Sequence, residues 1–160
     1  MKKQLFENYL LENIDSAFRF AYSYTKNRED AEDIVSESVI KALKAAESIK
    51  NEQSIKPWFY KIIVNTAMTH LKKAGRVLYI NYDEIEEENG KNDDYSSITF
   101  ESMTEKLDIK YRSIIVLRFF EDMSIKEIAN VLDLNENTVK TRLYKGLEIL
   151  KIQLGDDIYE

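Results

Sequence analysis

Residues 113–151 read SIIVLRFFEDMSIKEIANVLDLNENTVKTRLYKGLEILK, and this stretch decides the fold of the second half of the chain. Ser124 and Glu127 have the spacing of a capping box, in which each side chain satisfies a free backbone N–H of the first helical turn. Apolar residues then recur at helical spacing. Residues 133–135 leave room only for a turn, and Asn135 is a favoured N-cap for another helix. The stretch therefore predicts a short helix, a second helix, a tight turn and a basic third helix.

The helix predicted after Asn135 has an apolar face and a polar, basic face. The polar side chains that we assign to the second face are Lys140, Thr141, Tyr144 and Lys145. A helix-turn-helix places the N-terminal part of its second helix in the major groove of DNA. The alternative is a helical hairpin whose basic residues are merely solvated. The caps, the short turn and the small Ala129 at the helix contact favour DNA binding.

The composition limits the class of protein. The chain has 160 residues, no cysteine and a net charge of −6. Disulfides and thiolate metal sites are therefore excluded, and no apolar run reaches the length of a signal peptide core or a membrane span. We expect a cytoplasmic protein without catalytic residues, metal or cofactor, because no constellation for any of them is present.

Positive charge is placed locally rather than overall. Residues 1–75 carry 12 basic and 10 acidic side chains, and residues 138–151 carry four basic side chains and one acidic. Such a protein can neutralise few phosphates, so it should bind free duplex DNA weakly. A larger partner is expected to supply the remaining affinity.

The pattern predicts an all-α fold with two small domains, residues 1–75 and 100–160. Residues 76–99 are acidic and lack a helical stripe, so we interpret them either as a linker or as a solvated surface loop. Fully stretched, they would span at most ~80 Å.

Three helices are predicted in the first domain, over residues 4–24, 28–47 and 57–73. The apolar stripe expected on the first helix is Leu10, Ile14, Ala17, Phe18, Ala21 and Tyr22. The stripe of the second is Ala31, Ile34, Val35, Ser38, Ala42, Leu43 and Ala46, and that of the third is Phe59, Ile62, Ile63, Thr66, Ala67 and Leu71.

Three residues of this domain have two possible interpretations each. Ile40 is an apolar residue among charges on the outer face of the second helix, either an ordinary exposed side chain or an interface anchor. Asn65 is a poor residue for the middle of a helix and is either indifferent or in contact with a base edge. Ile49 is either a core anchor of its loop or part of the rim of a binding surface.

Three segments together resemble a known family. They are REDAEDIVSESVIKAL (28–43), IKPWFYKIIVNTAMTHLKK (55–73) and the stretch from Tyr111 to Lys151. In this order and spacing they resemble the extracytoplasmic-function (ECF) sigma factors, two-domain factors of bacterial transcription initiation. The strings SIKPWFYKI, VLRFFED and NTVKTRLYKGL are similar to those of the V-type members of Gram-positive bacteria, which respond to envelope stress and lysozyme.

The resemblance implies a role for each surface. Asp33, Ser36, Glu37 and Ile40 fall where the family docks on core RNA polymerase, at the β′ clamp helices; Ser36 replaces the family's usual glutamine. The positions implied to contact the −10 promoter element are Ile49, Asn65, Met68, Thr69, Lys72 and Lys73. The positions implied to contact the −35 element are Thr138, Lys140, Thr141, Tyr144 and Lys145. Arg142 is implied to be a phosphate contact or a structural residue.

The implied partners are promoter DNA, core polymerase (with a second contact at the β flap) and a membrane-anchored anti-sigma factor. The free protein is expected to be a monomer, held near the membrane when inhibited, and the inhibitor is expected to wedge between the two domains. One rival is a stand-alone regulator that dimerises on paired half-sites and needs no polymerase. A second rival is a helical protein that only sequesters a partner.

Overall fold

The computed structural model describes residues 1–75, 100 and 106–150, and all regular structure in these ranges is helical. The all-α prediction is confirmed for them, whereas the predicted linker, residues 76–99, lies outside the described residues. The helices are α1 (Lys2–Thr25), α2 (Arg28–Lys44), α3 (Ile55–Lys73), α4 (Ile109–Ile115), α5 (Ile125–Leu132) and α6 (Glu136–Leu150). We call α1–α3 the N-terminal bundle and α4–α6 the C-terminal bundle. None of the described helices has the length and apolarity needed to cross a bilayer.

The N-terminal bundle packs α1 against both α2 and α3. Lys26 takes a left-handed conformation with φ 55° and ends α1. Asn27 then caps α2, since its side chain accepts a hydrogen bond of 2.8 Å from the N–H of Asp30. Two short 3-10 turns, Ala46–Ser48 and Glu52–Ser54, separate α2 from α3. The bundle is therefore closed by local caps as well as by its core.

The apolar stripe predicted for α1 was wrong in part. Ile14 is 39% exposed, whereas Phe6 and Phe20 are fully buried and Tyr24 nearly so. The buried face of α1 is rotated from the predicted stripe: Ala17, Phe20, Ala21 and Tyr24 recur at helical spacing, and α1 contacts α4 as well as α2 and α3. The stripes predicted for α2 and α3 hold, except that Leu43 and Ile62 are only half-buried.

The C-terminal bundle follows the predicted helix-turn-helix. The capping box is confirmed: Ser124 accepts from the N–H of Glu127 at 3.1 Å, and the Glu127 carboxylate accepts from the N–H of Ser124 at 3.0 Å. Asp133, with φ 60°, turns the chain, and Asn135 caps α6 by accepting from the N–H of Thr138 at 2.8 Å. The recognition-type helix α6 is thereby fixed at its N-terminus.

A glycine sets how closely α4 and α6 approach. A Cβ atom added at Gly146 of α6 would lie 2.9 Å from Cδ1 of Ile115. Glycine in the middle of a helix is unfavourable by about 1 kcal/mol relative to alanine, so its presence is explained by this close packing. Beyond α4 the helix widens into a π-helical turn, Val116–Phe120.

The two bundles also contact each other. Helix α3 packs against α5, and α1 packs against α4. Tyr60 and Val64 of α3 are also buried, although the predicted stripe did not include them.

Candidate nucleic-acid interface

The polar face of α6 is open to solvent. Lys140, Thr141 and Tyr144 are exposed, and Tyr144 keeps 52% of its surface accessible. Thr138, Arg142 and Lys145 border them and are half-buried. The hydroxyl of Thr141 donates to the backbone oxygen of Asn137 at 2.9 Å, one turn earlier in the helix. The structure thus brings all six predicted side chains onto one half of a single helix.

A groove of about 660 Å³ runs beside this face. Its lining combines α6 and the start of α4: Lys110, Tyr111, Asn135, Asn137, Thr138, Thr141, Arg142 and Lys145. Three of these side chains are cationic, and the free N–H groups at the N-terminus of α6 add positive potential. Phosphate groups of a nucleic acid backbone are the natural ligands of such a groove.

Sequence reasoning missed Lys110, Tyr111 and Asn137 as members of this groove. Lys110 precedes Glu136, the first residue of α6, by 26 positions in the sequence. Its Nζ lies 5.2 Å from the ring centre of Tyr111. A motif-based reading of the second helix cannot include α4, because only the fold brings α4 beside α6. Asn137 could have been found, since it lies in the first turn of the predicted helix.

A second polar surface lies on α3. Asn65, Thr69, Lys72 and Lys73 are exposed there, and Met68 is half-buried beside them. The hydroxyl of Thr69 donates to the backbone oxygen of Asn65 at 3.0 Å. The side chain of Asn65 remains exposed on the helix surface, which keeps its amide available for an external contact.

Ile49 does not join this surface. It is 1% exposed and lies in the core of the N-terminal bundle, after the 3-10 turn at Ala46–Ser48. Of the two interpretations that the sequence left open, burial favours the core anchor. A contact of Ile49 with a base stays a prediction, and it requires the loop at residues 49–51 to move.

The outer face of α2 carries the third surface. Asp33, Ser36, Glu37 and Ile40 are all exposed, and Ile40 keeps 55% of its surface accessible. The Glu37 carboxylate lies 3.5 Å from Nζ of Lys41, one turn along the helix. Both side chains of this pair are about half exposed, so the pair is easily exchanged for an external partner.

No metal centre emerges among the described residues. They contain no group of three or more histidines and carboxylates placed to hold a metal ion. His70 lies on α3 with Nε2 3.5 Å from a carboxylate oxygen of Asp30 on α2, so it joins two helices of the bundle. This arrangement is structural in character.

Comparison with known proteins identifies the family. The family description "Sigma-70 region 2" matches residues 10–77, and "Sigma-70, region 4" matches residues 98–150. The chain is 45% identical over 138 residues to the RNA polymerase sigma factor SigV of Bacillus subtilis (strain 168), which covers 86% of this chain and 83% of that relative. The chain belongs to the ECF sigma factors.

More distant relatives and solved structures agree with this. The chain is 30% identical over 138 residues to the ECF RNA polymerase sigma-E factor of Escherichia coli (strain K12), covering 76% of this chain and 72% of the relative. The fold resembles that of the sigma factor RpoE in a complex with the anti-sigma factor NepR from Bartonella quintana, with a TM-score of 0.71 at 22% identity, over 93% of this chain and 98% of that one. CnrH in a complex with the cytosolic domain of CnrY gives a TM-score of 0.65 at 21% identity, over 91% and 84% of the two chains.

Family membership confirms several predictions at once. The resemblance to ECF sigma factors, including the V-type members, is confirmed by the match to SigV. Sigma factors are transcription initiation factors and not enzymes, so the expectation of a non-enzyme is confirmed. The match to region 2 covers the N-terminal bundle from residue 10 onward, and the match to region 4 covers the whole C-terminal bundle.

Proposed function

We propose that this sigma factor directs core RNA polymerase to promoters by reading the −35 element with α6 and the −10 element with α3. The main support for this proposal is that α6, capped by Asn135, presents Lys140, Thr141 and Tyr144 to solvent next to a cationic groove. Base-edge contacts come from such exposed side chains, and the groove offers contacts to phosphate. On α3, Asn65 and the lysines 72 and 73 offer the corresponding surface for opened −10 DNA.

We further propose that α2 docks on the β′ clamp helices of core polymerase, and that the C-terminal bundle makes a second contact at the β flap. The exposed Ile40, flanked by the carboxylates of Asp33 and Glu37, has the form of an apolar anchor in a polar rim. Core polymerase then supplies the affinity for DNA that a chain of net charge −6 lacks.

An anti-sigma factor is the proposed inhibitor. The sigma factor RpoE, which has a similar fold, is known in a complex with the anti-sigma factor NepR, and CnrH, also similar in fold, in a complex with the cytosolic domain of CnrY. The V-type resemblance supports a membrane-anchored inhibitor and a response to envelope stress. An inhibitor wedged between the bundles would have to displace the contacts that the bundles make with each other.

Transcription by purified core polymerase tests the proposed function. On templates with randomised −35 and −10 elements, transcripts that require both proteins and enrich two spaced motifs are expected. Tight binding of the chain alone to duplex DNA, without such transcripts, would instead support a stand-alone regulator. Neither activity would support a protein that only sequesters a partner.

Single substitutions test the DNA-reading surface and the polymerase-docking surface separately. Replacing Lys140 by alanine should cost about 1–3 kcal/mol at the −35 element if the lysine reads a base edge, and should alter only the salt dependence if it contacts phosphate. Lys3→Ala is the matched control, since it removes an exposed lysine from the far end of α1. Unchanged selectivity and unchanged salt dependence in Lys140→Ala would exclude any contact.

For the docking surface, Ile40→Lys should weaken binding to core polymerase. The control is Leu11→Lys on α1, where the wild-type side chain is 80% exposed and therefore even more accessible than Ile40. Equal weakening in both variants would argue against a specific anchor.

A further inference from the structure

A buried carboxylate joins the two bundles. Glu121 follows the π-helical turn of the C-terminal bundle and is 2% exposed. Its carboxylate accepts a hydrogen bond of 2.9 Å from the Tyr60 hydroxyl on α3 and one of 3.1 Å from Arg19 on α1. Lys56 of α3 donates to the backbone oxygen of Glu121 at 2.8 Å and lies 3.5 Å from its carboxylate. All three side-chain partners belong to the N-terminal bundle.

A second polar contact lies at the other end of the same interface. Arg112 on α4, 3% exposed, donates from Nε to the backbone oxygen of Ser23 on α1. Burial lowers the pKa of Arg112 to about 10, which leaves it charged at neutral pH. The neighbouring Ser113 and the charge of Arg112 act on Tyr24 of α1 across the bundles, and both oppose the rise in its pKa that burial causes. Charged groups from the C-terminal bundle are thus buried against the N-terminal bundle at two places.

Such an interface is suited to reversible opening. Burying a carboxylate carries a large desolvation penalty, which its partners only partly offset, and separation returns the charge to water. The cluster is also incompletely satisfied: among the described residues, the Tyr9 hydroxyl and Nε of Arg19 are buried without a hydrogen-bond partner. The polar contacts therefore specify how the bundles dock and contribute less to the free energy of docking than their number suggests.

The docked arrangement is too small to reach both promoter elements. A compact chain of 160 residues has a radius of gyration of roughly 15 Å and a diameter of ~40 Å. Elements centred at −35 and −10 are separated by roughly 25 base pairs, or ~85 Å of duplex. Because α3 and α6 belong to bundles in direct contact, they cannot engage both elements until the bundles part.

We propose that Glu121 is an intramolecular latch that holds the free sigma factor closed, and that the latch opens before both promoter elements can be engaged. The consequence for transcription rests on the proposed function, whereas the latch itself is a property of the free chain. Glu121 acts as a positioning residue between the bundles and takes no part in reading DNA.

The test is energy transfer between two dyes on the full-length chain. The chain has no cysteine, so Glu12→Cys on α1 and Asn130→Cys on α5 give two exposed labelling sites, one in each bundle. Wild type should show mainly high transfer. Glu121→Gln should raise the ratio of open to closed molecules by at least about tenfold, because the amide cannot replace the buried charge that Arg19 and Lys56 face. The control Glu32→Gln removes a carboxylate from the exposed pair of Arg28 and Glu32 within α2, and should leave the ratio unchanged.

Two further measurements keep the result unambiguous. Dyes at Glu12→Cys and Glu29→Cys, both in the N-terminal bundle, report whether that bundle stays folded. Tyr60→Phe removes one hydrogen bond to Glu121 from the opposite bundle while keeping the ring packed, so it tests the latch even if Glu121→Gln unfolds α5 and α6. Low transfer in wild type, or the wild-type ratio in both variants, would overturn the latch. These outcomes need no polymerase, so they are independent of the transcription test of the proposed function.

Discussion

The helix-turn-helix and the interface between the bundles are held by different kinds of contact. The helix-turn-helix of α5 and α6 is fixed by residues no more than five apart: the capping box at Ser124 starts α5, and the cap at Asn135 starts α6 after the turn. The interface is fixed by contacts such as Arg19 with Glu121, which lie 102 residues apart. Local contacts produce a recognisable pattern in the sequence, because both partners lie within a few residues. The partners of a long-range contact are far apart in the sequence, so the contact can be recognised only in the folded structure.

The largest expected effect is a loss of stability from a substitution in α1, where the sequence pattern mispredicted which residues are buried. Phe20→Ala removes a fully buried ring that stacks on Tyr60 at 5.0 Å, and should lower the free energy of unfolding by about 3–5 kcal/mol. Ile14→Ala should lower it by less than about 1 kcal/mol, because Ile14 is 39% exposed. Urea unfolding measures both, and equal losses would restore the predicted stripe.

The pH dependence of stability should report on the interface through Tyr24. Burial raises the pKa of this tyrosine to about 12, partly opposed by its hydrogen bond with Ser113 and the charge of Arg112. Because the pKa is higher in the folded state, the contribution is fully present below pH 10 and is lost as the pH rises towards 12. The loss should reach about 2–3 kcal/mol.

Tyr24→Phe is the matched variant for this measurement. Its unfolding free energy should fall less than that of wild type between pH 10 and 12, since phenylalanine has no proton to release. Parallel pH profiles for the two proteins would show that Tyr24 does not titrate as expected.

Within the C-terminal bundle, Gly146→Val should reduce stability by about 1–3 kcal/mol, because the added methyl groups meet Ile115 and the Cβ of Tyr111. Gly146→Ala sharpens the comparison. Its Cβ meets mainly the flexible end of Ile115, and the gain in helix propensity opposes the crowding. Thermal unfolding of the two variants should therefore differ clearly, and a loss for alanine as large as for valine would show that Ile115 cannot move.

The smallest expected effect concerns the local cap. Ser124→Ala should cost about 1 kcal/mol, because the N–H of Glu127 loses its acceptor at the start of α5. Ser124→Asp, which keeps an acceptor at the N-terminus, is the control and should preserve most of the stability. Urea midpoints provide the measurement, and an alanine variant as stable as wild type would show that solvent replaces the cap.

The sequence by itself determined the helical class, the capped helix-turn-helix and the outer faces of α2, α3 and α6 on which the predicted side chains lie. These follow from helical periodicity and from caps within a few residues, which act in any context. Only the tertiary structure decided that Ile49 is buried, that Lys110 borders the groove beside α6, and that Glu121 is enclosed by the N-terminal bundle. The physical reason is that burial depends on which surfaces meet, and a carboxylate such as Glu121 looks like a solvated residue until three partners from distant helices surround it.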